Sequence, residues 1–217
     1  MASSRGLGRV TARIVPDDDA GRAEAAEVLR RGGLIALPTD TVYGIAVALD
    51  TPGGVERLFA AKRRPPEKGV MLLLADAAQG PTIGEWPEAA AALAAAFWPG
   101  GLTVVVPQRA DVPLPAALTG GAPTIGLRAP DHPAPRALAA AVGPLPTTSA
   151  NVSGLPEART AEEIVEQLGA AIELVLDGGP AHGGLASTVV DCTVDPPRIL
   201  REGAIARTEV DQVTRRR

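Results

Sequence analysis

The sequence of 217 residues is poor in cysteine, aromatic residues and net positive charge, and each shortage excludes a class of protein. A single cysteine, Cys192, has no partner for an internal disulfide and cannot by itself form a cysteine-based metal site. With two Trp, two Phe and one Tyr, the chain lacks the aromatic surfaces on which single-stranded nucleic acids usually stack. A formal net charge of −4 excludes a broad cationic field that would hold RNA or anionic lipid without specificity.

Long apolar runs are also missing from the chain. The longest, at residues 89–98, is too short to cross a bilayer, and residues 1–9 lack the apolar segment of a secretory signal. We therefore expect a cytoplasmic protein with no membrane partner.

Familiar catalytic motifs are absent, because the sequence has no Walker loop, no dinucleotide-binding glycine fingerprint and no G-x-S-x-G elbow. His132 and His182 stand in turns rich in Pro and Gly without metal-ligand spacing, so we expect local turn roles for both. Valines at 189, 190 and 194 surround Cys192 and indicate a buried strand, which favours a core role for the thiol. Any chemistry is therefore expected to come from positioning substrates and neutralising charge.

Helical and strand patterns alternate along the chain. Helices are predicted from a capping Asp19 to the glycines at 32 and 33, from about residue 54 to Lys62, and at residues 88–98, 135–142 and 161–168. Strands are predicted at residues 34–37, 45–49, 70–74, 102–106, 124–127, 145–148, 172–176, 187–193 and 199–200. This alternation predicts one α/β domain over residues 1–217 with a substantial mixed sheet, in which 107–123 is a long surface loop. Its motif-bearing part covers about 20–206, between short flexible termini.

A basic segment follows the second predicted helix. Residues 62–68 read KRRPPEK, with four cations, and they contain both of the lysines in a chain whose other cations are arginines. A compact ammonium suits a phosphate, which favours a phosphate site. Cations at a helix end also oppose the helix dipole, and that predicts an ordinary solvated terminus. The spacing alone supports the two interpretations equally.

Polar residues cluster where several predicted strands end, namely at 39–41, Arg128, 147–151, 187–188 and Arg201. These clusters could converge on one cleft, since ligands of α/β sheets commonly lie at strand ends. Arg128 and Arg201 follow apolar strand residues, so each guanidinium needs an anionic partner, either a ligand or an internal aspartate. The hydroxyl and amide groups at 147–154 suit ligand oxygens or a capped turn equally well.

Seven segments carry a family resemblance. They are PTDTVYG at 38–44, KxRP at 62–65, WPGGLT at 98–103, LRxP at 127–130, SAN at 149–151, STV at 187–189 and LRxG at 200–203. Together and in this order, they resemble the YrdC-like threonylcarbamoyl-AMP synthases. The resemblance implies a twisted mixed β-sheet with flanking helices around a concave basic cavity.

The resemblance also implies a reaction, in which L-threonine, bicarbonate and ATP give threonylcarbamoyl-AMP and diphosphate. Magnesium is expected to enter with the ATP phosphates, without a protein metal site. The product would supply the threonylcarbamoyl group of a tRNA adenosine through a downstream tRNA threonylcarbamoyl transferase complex, and weak contact with tRNA is a further expectation.

Site residues carried over from the resemblance fall into two groups. Threonine would be bound by Thr41, Arg128, Thr147 and Ser187. The nucleotide would be bound by Arg64, Lys68, Thr124, Ser149, Asn151 and Arg201, with Lys62 and Arg64 as the catalytic cations that offset developing charge. The sequence departs from the family at two places: Gly69 stands where relatives often have proline, and Leu73 where some have a histidine near threonine.

Two other functions are consistent with parts of the sequence. One is a carbamoyl transfer that uses carbamoyl phosphate, because related domains occur in larger hydrogenase-maturation proteins. The other is a tRNA-binding module that uses the basic segment and the arginines at 215–217. The acidic composition and the few aromatics argue against the second.

Overall fold

A ten-stranded mixed sheet runs through the computed structural model, which describes residues 12–65, 68–181 and 184–215. Its strands are β1 (Arg13–Pro16), β2 (Ile35–Leu37), β3 (Gly44–Ala46), β4 (Met71–Leu73), β5 (Leu102–Pro107), β6 (Thr124–Arg128), β7 (Leu145–Ser149), β8 (Leu174–Asp177), β9 (Thr188–Asp191) and β10 (Arg198–Arg201). The helices are α1 (Asp19–Arg30), α2 (Gly54–Lys62), α3 (Gly80–Ile83), α4 (Glu88–Phe97), α5 (Ala116–Thr119), α6 (Pro133–Val142), α7 (Ala161–Leu168) and α8 (Arg207–Thr214).

The strand order across the sheet is β1-β8-β2-β3-β7-β4-β6-β5-β9-β10. Four neighbouring pairs are parallel, namely β1–β8, β2–β8, β4–β6 and β5–β9, and the other five are antiparallel. The predicted α/β class with a mixed sheet is therefore confirmed.

The two faces of the sheet are covered differently. Successive strand residues point to opposite faces, and Leu72, Val104 and Leu127 belong to a large apolar core on one face. On the other face, α1 and α6 pack over β8, β2 and β4, and Leu29 and Leu138 join Ile35 in a second core. Over β4, β6, β5 and β9, this second face lines a cavity.

Most predicted elements are present, and a few differ in detail from the prediction. The N-cap of α1 is Asp18, whose Oδ1 accepts from Gly21 N at 2.8 Å, and not Asp19. The predicted loop at 107–123 contains the short helix α5. Cys192 is buried as expected, but it follows β9, and Val194 is 45% exposed.

Two terminal elements, β1 and α8, were not predicted from the sequence. Strand β1 has the exposure pattern of a surface segment and is fixed by parallel pairing with β8, a contact remote in sequence. Helix α8 is largely polar and buries only Val210 among its residues, so it lacks the apolar stripe that predicts a helix.

Candidate active site

The cavity lies on the open part of the sheet and has a volume of about 340 Å³. Its floor is a row of residues in register across β7, β4, β6 and β5, namely Thr147, Met71, Gly126 and Val105. Because side chains alternate between the faces, Leu72 of β4, Leu127 of β6 and Val104 of β5 belong to the apolar core behind the sheet. The volume is within the range of small-ligand pockets, about 300–1,000 Å³.

The polar clusters at the strand ends converge on this cavity, as expected. Eight of the predicted site residues line it: Thr41, Arg64, Thr124, Arg128, Thr147, Ser149, Ser187 and Arg201. Lys62, Lys68 and Asn151 are not among the lining residues. The roles assigned to all eleven residues remain predictions.

Arg128 anchors one end of the cavity. The residue is 2% exposed, and its guanidinium donates to Asp40 Oδ1 at 2.6 Å, to Thr41 Oγ1 at 2.9 Å and to Gly100 O at 3.0 Å. Burial lowers the pKa of Arg128, and the Asp40 carboxylate opposes that shift. The internal aspartate that was one of two predicted partners is therefore Asp40, and the guanidinium still borders the cavity.

The loop between β2 and β3 is ordered by its own hydrogen bonds. Thr39 Oγ1 donates to Val42 O at 2.7 Å and accepts from Thr41 N at 3.1 Å. Gly44 ends the loop against β7, where a Cβ would lie 2.7 Å from Thr147 Cγ2. Thr41 is thus held at the cavity wall beside Arg128.

Tyr43 fastens the same loop to the end of β8. Its hydroxyl donates to Gly179 O at 2.6 Å and accepts from Gly178 N at 3.1 Å. Burial is the largest cause that raises the pKa of Tyr43 to about 12. The phenol therefore stays protonated and acts as a structural donor.

Arg201 and Ser187 form a second polar group on the wall. The Arg201 guanidinium donates to Ser187 O at 2.7 and 3.1 Å and to Ser187 Oγ at 3.1 Å. The Ser187 hydroxyl lies 2.8 Å from Thr103 Oγ1, at the start of β5. Burial lowers the pKa of Arg201, and Glu157 opposes this shift.

Lys62 lies behind the wall. The residue is 2% exposed, and Nζ donates to Asn151 O at 2.6 Å, to Asn151 Oδ1 at 3.1 Å and to Ser149 O. Burial and the nearby Arg64 lower the pKa of Lys62 to about 8, against the opposing charge of Glu157. The alternative of a solvated helix end is therefore wrong for Lys62.

Arg64 and Lys68 are two further cations of the basic segment. Arg64 donates through Nε to Lys68 O at 2.9 Å and through Nη2 to Gly69 O at 2.8 Å, and it lies over the Phe59 ring at 6.0 Å. Lys68 is exposed. Arg63 is exposed, and Pro66 and Glu67 lie outside the described residues. Arg64 is thus the residue that brings this segment to the cavity.

Thr103 and Glu157 are among the cavity residues that sequence reasoning missed. Thr103 is a lone polar residue in the apolar pattern LTVVV, and this could have marked the inner face of β5. Glu157 brings a carboxylate to a wall that also contains Arg64, Arg128 and Arg201. It stands in an irregular segment, where no periodic signal identifies the side that faces a ligand.

The remaining predictions concern metals, histidines and membranes. Within residues 12–65, 68–181 and 184–215, no group of three or more His, Cys, Asp or Glu residues could hold a metal ion. His132 caps α6, since its Nδ1 accepts from Ala134 N at 3.2 Å, while His182 lies outside the described residues. None of the described helices combines the length and hydropathy of a transmembrane span.

Known proteins resemble this chain over most of its length. A family model for Sua5, YciO and YrdC, described as telomere recombination, matches residues 27–203. Threonylcarbamoyl-AMP synthase of Bacillus subtilis is 37% identical over 193 residues, which are 88% of this chain and 56% of that protein. Its namesake from Vibrio cholerae is 40% identical over 184 residues, which are 83% of this chain and 96% of that protein.

A solved structure extends the comparison to three dimensions. The crystal structure of Pyrococcus abyssi Sua5 complexed with L-threonine matches with a TM-score of 0.86 and 35% identity. The match covers 94% of this chain and 60% of that one. The chain therefore spans little more than half the length of the relatives from Bacillus subtilis and Pyrococcus abyssi.

Proposed function

Because the chain belongs to the Sua5, YciO and YrdC family, we propose that it is a threonylcarbamoyl-AMP synthase. It would convert L-threonine, bicarbonate and ATP to L-threonylcarbamoyladenylate and diphosphate, a nucleotidyl transfer. The observation that carries the proposal is the convergence of three arginines and five predicted hydroxyl residues in one cavity, namely Arg64, Arg128, Arg201, Thr41, Thr124, Thr147, Ser149 and Ser187. Such a cavity suits an amino acid and a polyphosphate together.

The reaction requires no protein nucleophile. The threonine amine combines with bicarbonate to give a carbamate and water. A carbamate oxygen then attacks the α-phosphorus of ATP, the new oxygen–phosphorus bond forms, and the bond to the β-phosphate breaks as diphosphate leaves. Holding the carbamate and ATP in contact removes much of the entropic barrier, by up to about 7–11 kcal/mol in favourable cases.

The amino acid would bind at the Arg128 end of the cavity. Three of the five guanidinium N–H groups of Arg128 are used by Asp40, Thr41 and Gly100. A threonine carboxylate can accept from the others, and the cavity lining also supplies the hydroxyl groups of Thr41, Thr147 and Ser187. The Asp40 carboxylate keeps the guanidinium in place before the substrate arrives.

ATP would bind at the Arg64 and Arg201 end. Arg64 is half-buried and Arg201 is exposed, both line the cavity, and they would offset the charge of the phosphates and of the leaving diphosphate. Ser149 and Thr124 also line the cavity and would bind the nucleotide. Magnesium would arrive with ATP, held by phosphate oxygens and water, because Glu157 is the single carboxylate among the described lining residues.

The wider setting of the reaction is also part of the proposal. The adenylate would pass to a tRNA threonylcarbamoyl transferase complex that modifies a tRNA adenosine, with weak tRNA contact at most on this acidic chain. We propose a cytoplasmic location for this role, and one domain over residues 1–217 whose motif-bearing part covers about 20–206.

An omission assay tests the proposal. Purified protein is incubated with MgATP, L-threonine and bicarbonate, and diphosphate is measured after each component is left out in turn. We expect release only with all three. Diphosphate release that is unaffected by omitting threonine and bicarbonate would refute the synthase, and AMP formation that requires carbamoyl phosphate would establish the rival carbamoyl transfer.

A further inference from the structure

The ammonium group of Lys62 has no donor left for a ligand. Nζ donates to the carbonyl oxygens of Ser149 and Asn151 and to Asn151 Oδ1, and a protonated lysine has three N–H groups. The Ser149 hydroxyl oxygen is a fourth neighbour at 3.4 Å. A phosphate oxygen could bind Nζ only if one of these bonds were broken.

The same bonds fix the turn at residues 149–153, which we call the tethered turn. Ser153 N donates to Lys62 O at 2.8 Å, and Ala150 N donates to Tyr43 O at 2.7 Å. Ser149 Oγ donates to Asn151 Oδ1 at 2.6 Å. The tethered turn is therefore held between the end of α2 and the loop before β3.

A lysine fits this place better than an arginine. The three acceptors converge on one point, and a compact ammonium can donate to all of them, whereas a planar guanidinium directs its donors along a fork. Lys62 and Lys68 are the two lysines of the sequence, and arginine is used at every other position that carries a permanent positive charge. The geometry thus accounts for an unusual residue choice.

We propose that Lys62 is a positioning residue, which holds the tethered turn so that Ser149 faces the nucleotide, and that it does not contact the phosphates. The proposal deepens the proposed function and rests on it, because ATP is expected at this wall. Asn151 has the same indirect role, since its side chain bonds within the turn and to Leu155 O at 2.8 Å. Ser149 lines the cavity, whereas Lys62 and Asn151 do not.

Hydrogen exchange without nucleotide provides the first test. In Lys62→Met, the tethered turn loses its bonds to the charged Nζ and should open more often. We therefore expect the amides of Ala150 and Ser153 to exchange at least about tenfold faster than in the wild type. Lys68→Met is the matched control: it removes the chain's other lysine, which is exposed, and should leave both amides protected. Unchanged protection in Lys62→Met would overturn the proposal.

Nucleotide affinity provides the second test, through a double-mutant cycle of Lys62→Met and Ser149→Ala. If Lys62 acts through Ser149, the double variant should bind ATP no more weakly, within about twofold, than the weaker single variant. A lysine that contacts phosphate directly would give losses that multiply, and this result would overturn the proposal. If Lys62→Met does not fold, the same measurements are made on Lys62→Gln. This variant keeps two N–H donors.

Failure of this inference can be distinguished from failure of the proposed function. A wild type that releases diphosphate as expected, combined with protected amides in Lys62→Met, refutes only the positioning role. A wild type without threonine-dependent release refutes the synthase. The exchange measurement on the nucleotide-free protein still decides whether Lys62 holds the turn.

Discussion

Arg128 and Lys62 are the two deeply buried cations near the cavity, each 2% exposed, and their hydrogen-bond partners differ in charge. Arg128 faces the Asp40 carboxylate at 2.6 Å. Lys62 faces uncharged carbonyl and amide oxygens, with Arg64 nearby as a like charge and Glu157 as an opposing one. The Arg128 end is therefore balanced before any ligand binds, whereas the Lys62 end retains positive charge that a polyphosphate can neutralise.

The largest expected effect is a loss of stability when Arg128 is removed from its pair with Asp40. Arg128→Met leaves the Asp40 carboxylate without its buried partner, which typically costs about 3–5 kcal/mol of unfolding free energy. Urea denaturation measures this loss. Arg207→Met, which removes a cation from the exposed pair with Glu202, should cost about 0–1 kcal/mol. Equal losses in the two variants would show that Asp40 does not depend on Arg128.

The next effect concerns the end with excess positive charge. Arg201→Met should weaken ATP binding by about 10- to 100-fold, the equivalent of one hydrogen bond to a charged group, and more than it weakens threonine binding. Titration calorimetry with each substrate measures both affinities. Arg198→Met, on the same strand but paired with Asp191 at 3.3 Å, should leave ATP affinity unchanged. A larger loss of threonine than of ATP affinity would reverse the assignment of the two ends.

The pH dependence of the unfolding free energy tests the environment of Lys62 without a ligand. The folded protein holds Lys62 at a pKa of about 8, lowered from 10.5, so between these values the unfolded chain binds the extra proton. Unfolding free energy should then rise with pH from about 8 to about 10, by at most about 1.4 kcal/mol per pH unit. Above pH 10 the raised pKa of Tyr43 has the opposite effect, because the folded state keeps a proton that the unfolded state loses.

Lys62→Met is the control for that profile. The variant should lose the rise between pH 8 and 10 while its behaviour above pH 10 stays the same. Chemical denaturation at a series of pH values records both curves. A rise of the same slope in the variant would assign the titration to another group.

The smallest expected effect is on kcat/KM for ATP, when the shape of the Arg64 cation is changed and its charge is kept. Arg64→Lys keeps the cation but loses the fork that donates to Lys68 O and Gly69 O. We expect a decrease of about tenfold in kcat/KM for ATP, with fold and stability close to the wild type. Steady-state diphosphate release at varied ATP measures it, and wild-type efficiency in the variant would mean that charge alone suffices.

Local patterns predicted the elements better than the charge pairs. Helix α2 ends at Lys62 as its apolar spacing indicates, and the polar strand ends converge as expected. The bond from Arg128 to Asp40 spans 88 residues and the bond from Lys62 to Asn151 spans 89. Such contacts depend on the order of strands in the sheet, which no local periodicity encodes. For that reason the sequence left an internal aspartate as one of two options for Arg128 and did not identify Asn151 as a partner of Lys62.

Mass spectrometry of the products formed from ATP, L-threonine and isotopically labelled bicarbonate tests the central claim most directly. The cavity geometry predicts an adenylate that contains both threonine and the labelled carbon, with one diphosphate released for each adenylate. AMP or ADP without the label, formed at the same rate when threonine is omitted, would contradict the account.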